Sequence, residues 1–345
     1  MSLEHESAHI NPARERKVNP SVSIEIEKLK GIVFSHFLKS SYTNTQANMM
    51  TDVVMFGELS GRKSHGIGLL TRPDVVWKNK DEREDPRVTN ISTISSSVEG
   101  KGNPGILVGP MAMIESIRLA RENQIGITNT SESFSTIGAL SYYAETIAKN
   151  GFLGIVMSTS RPVVAPFNSG EAIFGSNPIA ISAPSKSDPL VLDLSTAAIS
   201  FGSVMESMSR QQLLPTGTAI DNLGQDTVKP EEAVKGALLP FGSYKGAGLA
   251  MMIELIAGAW SGADAQGKEP EKGWGNLFIT LSPGVFGLNR DYAQTTQTFI
   301  NNLRNTHTRD GMPIRIPGEI SLQTRNNNLR LGYVQVDPLV LSKLS

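Results

Sequence analysis

Gly61-Arg62-Lys63-Ser64-His65-Gly66-Ile67-Gly68-Leu69-Leu70-Thr71-Arg72-Pro73 is the stretch on which the reading of this chain turns. The chain has only five histidines, and His65 sits between a hydroxyl residue and a glycine with cationic residues on both sides. Imidazole has the side-chain pKa nearest neutrality, which makes it the usual carrier of a proton during catalysis. Gly66 lets backbone and ligand approach closely. Arg72 follows one to two helical turns later, placed to hold an anionic substrate. Taken alone, the tripeptide also fits a surface or satisfied core histidine.

The surrounding composition narrows the chemistry. With 345 residues the chain can bury a substantial core and divide into two lobes. It is 39% apolar and 19% charged, as a globular protein is, and its formal net charge is -1. No broad field therefore favours nucleic acid or an anionic membrane as partner. The chain has no cysteine, which excludes disulfides, thiolate metal sites and a cysteine nucleophile; it suits a reducing compartment, and a cytoplasmic protein is the expectation. No metal site is expected. Met1 to Pro20 reads as a polar tail without the apolar core of a signal peptide. No apolar run reaches the ~18 residues of a membrane span.

Outward from His65, the periodicity alternates. Ile24, Ile26, Leu29, Ile32, Val33 and Phe37 recur at helical spacing, and Ala47, Met50, Val53, Val54 and Leu59 mark a second helix capped near Thr43 to Thr45. Asn79 to Pro86 reads as a loop and Arg87 to Gly100 as strand and turn. The glycine-rich turn Gly100 to Gly105 precedes a helix over Pro110 to Asn123. It lacks the preceding buried strand and the spacing of a dinucleotide fingerprint, so a tight turn is the reading preferred over a phosphate cradle. Strands are expected at Ile125 to Thr130, Leu153 to Ser158, Asn177 to Pro184, Leu190 to Leu194 and Leu277 to Leu281. Helices are expected at Ile137 to Asn150, within Pro240 to Ala259, and at Tyr292 to Thr306. Strands alternating with helices argue for an α/β protein.

Three further segments carry chemical groups. Gly175-Ser176-Asn177-Pro178-Ile179-Ala180 is a polar turn entering an apolar strand, and Asn-Pro is also a common structural turn. Val191-Leu192-Asp193-Leu194-Ser195-Thr196 puts one carboxylate at the end of an apolar strand, where it must be paired or hydrogen-bonded. Asp193 is a candidate to orient His65 and stabilise its cation, the role of aspartate in other His-Asp pairs. Leu239-Pro240-Phe241-Gly242-Ser243-Tyr244-Lys245-Gly246 opens an apolar helix, and a lysine at a helix N-terminus is either a phosphate contact or a solvated loop residue.

In this order, the segments resemble the malate/L-lactate dehydrogenase family that lacks a Rossmann fold. Ser64-His65-Gly66 matches its Ser-His-Gly element, Gly175 to Ala180 its Gly-Thr-Asn-Pro-aliphatic-Ala element, and Leu192 to Ala197 its Val-Asp-Met-Ala/Ser element. Leu214 to Gly217, Leu239 to Gly246 and Ile316-Pro317-Gly318-Glu319 match in turn, and the resemblance runs from about Val22 to Leu341. It implies an α/β fold of non-Rossmann type with mixed sheets, flanking helices and two lobes. It further implies a polar tail over 1–20, a discontinuous helical domain for substrate and dimer contacts over 21–120 with 300–345, and a cofactor-binding domain over 121–299.

The activity implied is hydride transfer between NAD or NADP and the 2-carbon of a small carboxylate substrate, a 2-oxo or 2-hydroxy acid or else a cyclic ketimine, in a homodimer. By the same resemblance His65 gives or takes the proton, Asp193 supports it and Ser64 bonds the reacting atom. Ser176, Asn177, Asp193, Leu194, Ser195, Thr196, Tyr244, Lys245, Gly318 and Glu319 fall in the cofactor-binding segments. Two departures stand out. Leu69 occupies the place of the family's first substrate arginine, leaving Arg72 as its substitute, and Ser133 and Ser135 stand where relatives often carry a histidine and a glycine. Ser133 is therefore a candidate substrate contact. An unusual substrate, or a fold retained without the standard activity, follows from these changes.

Overall fold

The computed structural model describes residues 21–72, 77–263, 273–287 and 291–344; the polar tail read over 1–20 lies outside them. In chain order the elements are β1 (Val22–Glu25), α1 (Ile26–Lys39), α2 (Asn44–Leu59), β2 (Arg87–Asn90), β3 (Ser95–Glu99), α3 (Gly105–Asn123), β4 (Ile125–Ser133), α4 (Leu140–Lys149), β5 (Leu153–Ser158), β6 (Ile179–Ala183) and β7 (Leu190–Leu194). There follow α5 (Phe201–Ser209), β8 (Ala219–Ile220), α6 (Pro230–Ala233), β9 (Ala237–Leu238), α7 (Tyr244–Ile253), β10 (Trp274–Leu281), α8 (Tyr292–Arg304), α9 (Glu319–Leu331), β11 (Tyr333–Val336) and α10 (Pro338–Leu344). The 3₁₀ turns Lys63–His65 and Ile67–Thr71 follow α2, and α7 runs on into a π-helical turn, Glu254–Gly258.

The central sheet has seven strands in the order β2-β3-β4-β10-β5-β6-β7. Only β3 and β4 pair in parallel. β10 runs antiparallel between β4 and β5, with Phe278 facing Thr128 on one side and Val156 on the other. Alternation along the strands divides two cores. Phe278, Val156, Ala180 and Val191 face α1 to α4 in the main core. Leu277, Met157, Ile155 and Ile279 face the opposite side, against Ile253 and Ala257 of α7 and its π turn. A separate small core, with Val164, Phe174, Val204, Leu214 and Leu238, belongs to the second lobe, which is built around β8 and β9.

Most expected elements form where the periodicity puts them. The second helix starts under a capping box, in which Thr43 Oγ1 accepts from Gln46 N and Gln46 Oε1 accepts from Thr43 N. Such caps are worth about 1 kcal/mol. Two readings change. Ile24 belongs to β1, not to the first helix, because Val22–Glu25 pairs antiparallel with Tyr333–Val336 at the other end of the chain. The helix expected from Pro110 begins at Gly105 and carries Pro110 inside it. The glycine turn before it serves close packing: a Cβ on Gly105 would meet Thr136 O at 2.7 Å, and one on Gly100 would meet Glu132 O at 2.8 Å.

Helix α9, near the C-terminal end, is tied to the main body by a buried cation. Arg325, 8% exposed, donates to Ser60 Oγ and pairs with Glu145 of α4, with its guanidinium over the Phe56 ring. Replacing it takes the buried cation from a buried carboxylate and leaves the exposed Lys149 as its charge partner. Arg325→Met is expected to lower unfolding stability by about 3 kcal/mol. Lys149, whose side chain is 56% exposed, also pairs with Glu145; Lys149→Met is expected to change stability by less than about 1 kcal/mol. Thermal or urea unfolding of the two variants checks this ordering.

Candidate active site

One end of the central sheet gathers the chemistry. β4, β5 and β7 end there, and β6 and β10 begin there. Residues at or just beyond those strand ends, Ser135, Ser158, Arg161, Ser176, Asp193, Ser195, Trp274 and Asn276, line a cavity of about 280 Å³. The turn after α2 supplies its other wall with Arg62, Ser64, His65 and Arg72. The structure thus brings His65, Ser64, Arg72, Asp193, Ser176 and Ser195 to one cavity.

The His65 turn is pressed onto the end of α2. Glu58, 1% exposed, accepts the Ile67 N–H at 3.0 Å and pairs with Lys63. A Cβ on Gly66 would lie 2.8 Å from the Glu58 Cα and closer still to its carboxylate, and a Cβ on Gly57 would collide with the His65 carbonyl. Glycine at both positions is what allows this approach. The N-terminus of α5 closes over the other side, where a Cβ on Gly202 would come within 2.9 Å of Ser64 Oγ. His65 Nδ1 lies 3.0 Å from Ser64 Oγ. Arg72 Nη1 reaches the Ser64 carbonyl at 3.4 Å, so the arginine stays beside the histidine although the segment is 3₁₀ rather than α-helical.

Asp193 makes no hydrogen bond or ion pair with His65. Its Oδ2 accepts from Arg62 Nη1 at 2.7 Å and from the Ser141 N–H at 3.0 Å, in the first turn of α4. Burial lowers the His65 pKa to about 4; the Asp193 charge works upward, while the Arg62 and Arg72 charges add to the lowering. The rise expected from a His-Asp pair is thus present as a field and outweighed. At neutral pH the imidazole is uncharged.

Asp193 and Arg62 also line a second cavity of about 790 Å³, shared with Ser141, Gln297, Arg304, Arg315, Gly318 and Glu319. Glu319 pairs with Arg304 and accepts the Ile316 N–H at 3.1 Å. A volume in this range suits a cofactor-sized ligand, and Arg304 and Arg315 supply the cations an anionic ligand needs. Other candidates lie elsewhere. Asn177 is fully buried, its Nδ2 donating to Ala250 O and to Glu254 Oε2 at 2.6 Å, so it pins the Ser176 turn to α7. Thr196 is buried and bonds Ser176 O. Leu194 pairs with Ile179 in the sheet. Tyr244 and Lys245 are exposed at the start of α7, and Tyr244 packs edge-on to Phe167.

Ser133 is not in the cavity: it is 1% exposed, opposite Trp274 in the ladder. Glu132 and Ser135 both adopt positive φ, 51° and 69°, which breaks the strand alternation and turns Ser135 into the cavity instead. Two arginines of the smaller cavity escaped the sequence reading, as did Arg304 and Arg315 of the larger one. Arg62 adjoins the quoted tripeptide, but nothing in its spacing marks it as the partner of Asp193. Arg161 follows the end of β5 and lies over the Phe201 ring at 4.7 Å; a cation directly after an apolar strand was the available signal.

Since Gly66 and Glu58 leave no room between them, Gly66→Ala is expected to displace the turn that carries His65. Misplacement by about 1 Å can cost ~10²-fold in rate. Turnover should fall by about that factor while circular dichroism stays native; steady-state kinetics on the folded variant is the check.

Comparison with known proteins places this geometry in a family. The family model for malate/L-lactate dehydrogenase matches residues 24–345. L-sulfolactate dehydrogenase of Methanocaldococcus jannaschii is 30% identical, over 92% of this chain and 94% of that protein. Ureidoglycolate dehydrogenase (NAD(+)) of Escherichia coli is 27% identical, over 79% of this chain and 80% of its own length. The crystal structure of delta1-piperideine-2-carboxylate reductase from Pseudomonas syringae superposes with a TM-score of 0.81 at 25% identity, covering 94% of this chain and 98% of that one. The fold and the whole described length agree, and the chain belongs to the malate/L-lactate dehydrogenase family.

Proposed function

We propose that this protein is an NAD(P)-dependent oxidoreductase that moves a hydride between the nicotinamide and the 2-carbon of a small 2-oxo or 2-hydroxy acid. The observation that carries the reading is the cavity in which a single half-buried imidazole stands among Arg62, Arg72 and Arg161. A guanidinium grips a carboxylate through paired hydrogen bonds, and Arg72, bonded to the carbonyl of Ser64, is the arginine assigned to it. That grip sets the 2-carbon beside His65. The uncharged imidazole takes the hydroxyl proton in oxidation and returns it in reduction, while Ser64 Oγ occupies Nδ1 and leaves Nε2 for the transfer. The nicotinamide dinucleotide, when bound, supplies the redox step. Its assigned place is the larger cavity, with Arg304, Arg315 and the Gly318–Glu319 turn around it.

A cyclic imine carboxylate is the second reading, supported by the likeness to the piperideine-2-carboxylate reductase. A panel of 2-oxo acids and cyclic imine acids, with each reduced cofactor, separates the two by loss of nicotinamide absorbance. Oxidation of neither cofactor by any member would overturn both. On the substrate found, His65→Ala is expected to lose ~10²–10⁴-fold in turnover. Arg72→Lys is expected to raise KM well before it changes cofactor affinity.

A homodimer and a cytoplasmic location belong to the same proposal, as does the division into 21–120 with 300–345 and 121–299. The pairing of β1 with β11 supports the discontinuous first part. Met251, Met252, Leu255 and Trp260 expose an apolar strip along α7 and its continuation, with Trp260 76% exposed. Such a surface fits burial against a second copy. Light scattering should then give about twice the 37.2 kDa chain mass; a monomer at micromolar concentration would remove the dimer from the proposal.

A further inference from the structure

We infer that Arg62 is a positioning residue of this site: together with the first turn of α4 it takes the hydrogen bonds of the Asp193 carboxylate, so that none goes to His65. The inference rests on the reading of His65 as the proton carrier and says what sets its protonation state. Three observations carry it. Both hydrogen bonds to Asp193 fall on Oδ2, one from Arg62 Nη1 at 2.7 Å and one from Ser141 N at 3.0 Å. The N-cap of α4 is Ala139, which has no side-chain acceptor for the free N–H groups of the first turn, so Asp193 fills that role from the neighbouring strand. The carboxylate thus already has a guanidinium and a helix-end N–H as its hydrogen-bond donors. Finally, Asp193 and Arg62 are the polar pair common to the walls of both cavities, so the ion pair lies where they meet.

The charged groups around the imidazole are otherwise accounted for. Glu58, below the turn, is occupied by Lys63 and the Ile67 N–H. Arg72 stands on the Ser64 carbonyl. Arg161, from the loop after β5, lies over Phe201. Asp193 is therefore the carboxylate whose allegiance decides whether His65 works as a neutral base or as a cation. With Arg62 in place the pKa sits near 4, and the imidazole is ready to accept a proton across the neutral range. A carboxylate freed from such an ion pair to bond a neighbouring imidazole raises its pKa by roughly 1 to 3 units.

The test is a titration of the cofactor-free protein, followed through the histidine ring carbons by NMR, with the His65 signal assigned by its loss in His65→Gln. Arg62→Gln is expected to raise the His65 midpoint by about 1 unit or more. Removing a nearby cation would do some of this by charge alone, so the deciding measurement is a coupling. Asp193→Asn should lower the midpoint by about 1 unit more in the Arg62→Gln background than in the wild-type one. Arg62→Lys, which keeps a cation at that position, should stay near the wild-type midpoint and supplies a second background for the same cycle. Equal effects of Asp193→Asn in both backgrounds, or an unmoved midpoint in Arg62→Gln, would overturn the inference. Because the titration needs neither substrate nor cofactor, it stands apart from the function. If His65 is not the proton carrier, the NMR midpoint shifts while the pH–rate profile does not.

Discussion

The Glu58 carboxylate, sealed beneath the turn that follows α2, is the constraint from which the rest of the site is built. A buried anion must be fully satisfied, and Glu58 is satisfied only if Lys63 folds back over it and the Ile67 N–H points down at it. Those two demands leave little freedom to the three residues between, Ser64, His65 and Gly66. Gly57 and Gly66 then permit the backbone-on-backbone approach that the carboxylate requires. The chemical wall of the cavity is rigid because its foundation is an electrostatic debt that only one backbone path settles.

Facing that wall, the sheet contributes strand ends, and charge decides how they are used. Asp193 emerges from β7 next to a helix start that has no cap of its own and an arginine that has no nearer carboxylate among its hydrogen bonds. An acid placed there has its hydrogen bonds from a guanidinium and a helix-end N–H, without help from a histidine. The imidazole is left to a desolvated, cation-rich setting that favours its neutral form. On the proposed function, the arginines that would attract a substrate carboxylate also poise the imidazole, so that binding and proton transfer would draw on one field. The same cations would oppose a protonated histidine, so the arrival of an anionic substrate is itself a means of restoring basicity.

The sequence disclosed what depends on neighbours along the chain. The Thr43–Gln46 capping box, the alternating strand at Leu153–Ser158, the lone histidine between Ser64 and Gly66, and the ordered elements out to Ile316–Glu319 are local, and local pattern is what periodicity records. It missed what depends on partners far away. Val22–Glu25 is a strand only because Tyr333–Val336 lies beside it, and its Ile24 happens to continue a helical spacing. Pro110 resembles a helix start, yet α3 begins five residues earlier, against Phe134 and Thr136. Arg62 was in view from the first line, but its meaning lies 131 positions away at Asp193. Ser133 lost its expected place to Ser135 through backbone angles that composition does not reveal.

The pairing of β1 with β11 sets an order in time. Val22 is among the earliest described residues to be made, and it has no sheet partner until Val336 has been added. β11 also reaches the site, since the Gln335 carbonyl accepts from Lys63, the lysine that covers Glu58. A chain still on the ribosome holds the Ser64–Gly66 turn and the strand ends that border the cavity, yet lacks the clasp that seats them. Domains tend to fold as they emerge; here the wall that bears the histidine is completed from the far end. Catalytic competence is thereby a late event in the life of each molecule, and a shortened chain would carry the residues of the site without its shape.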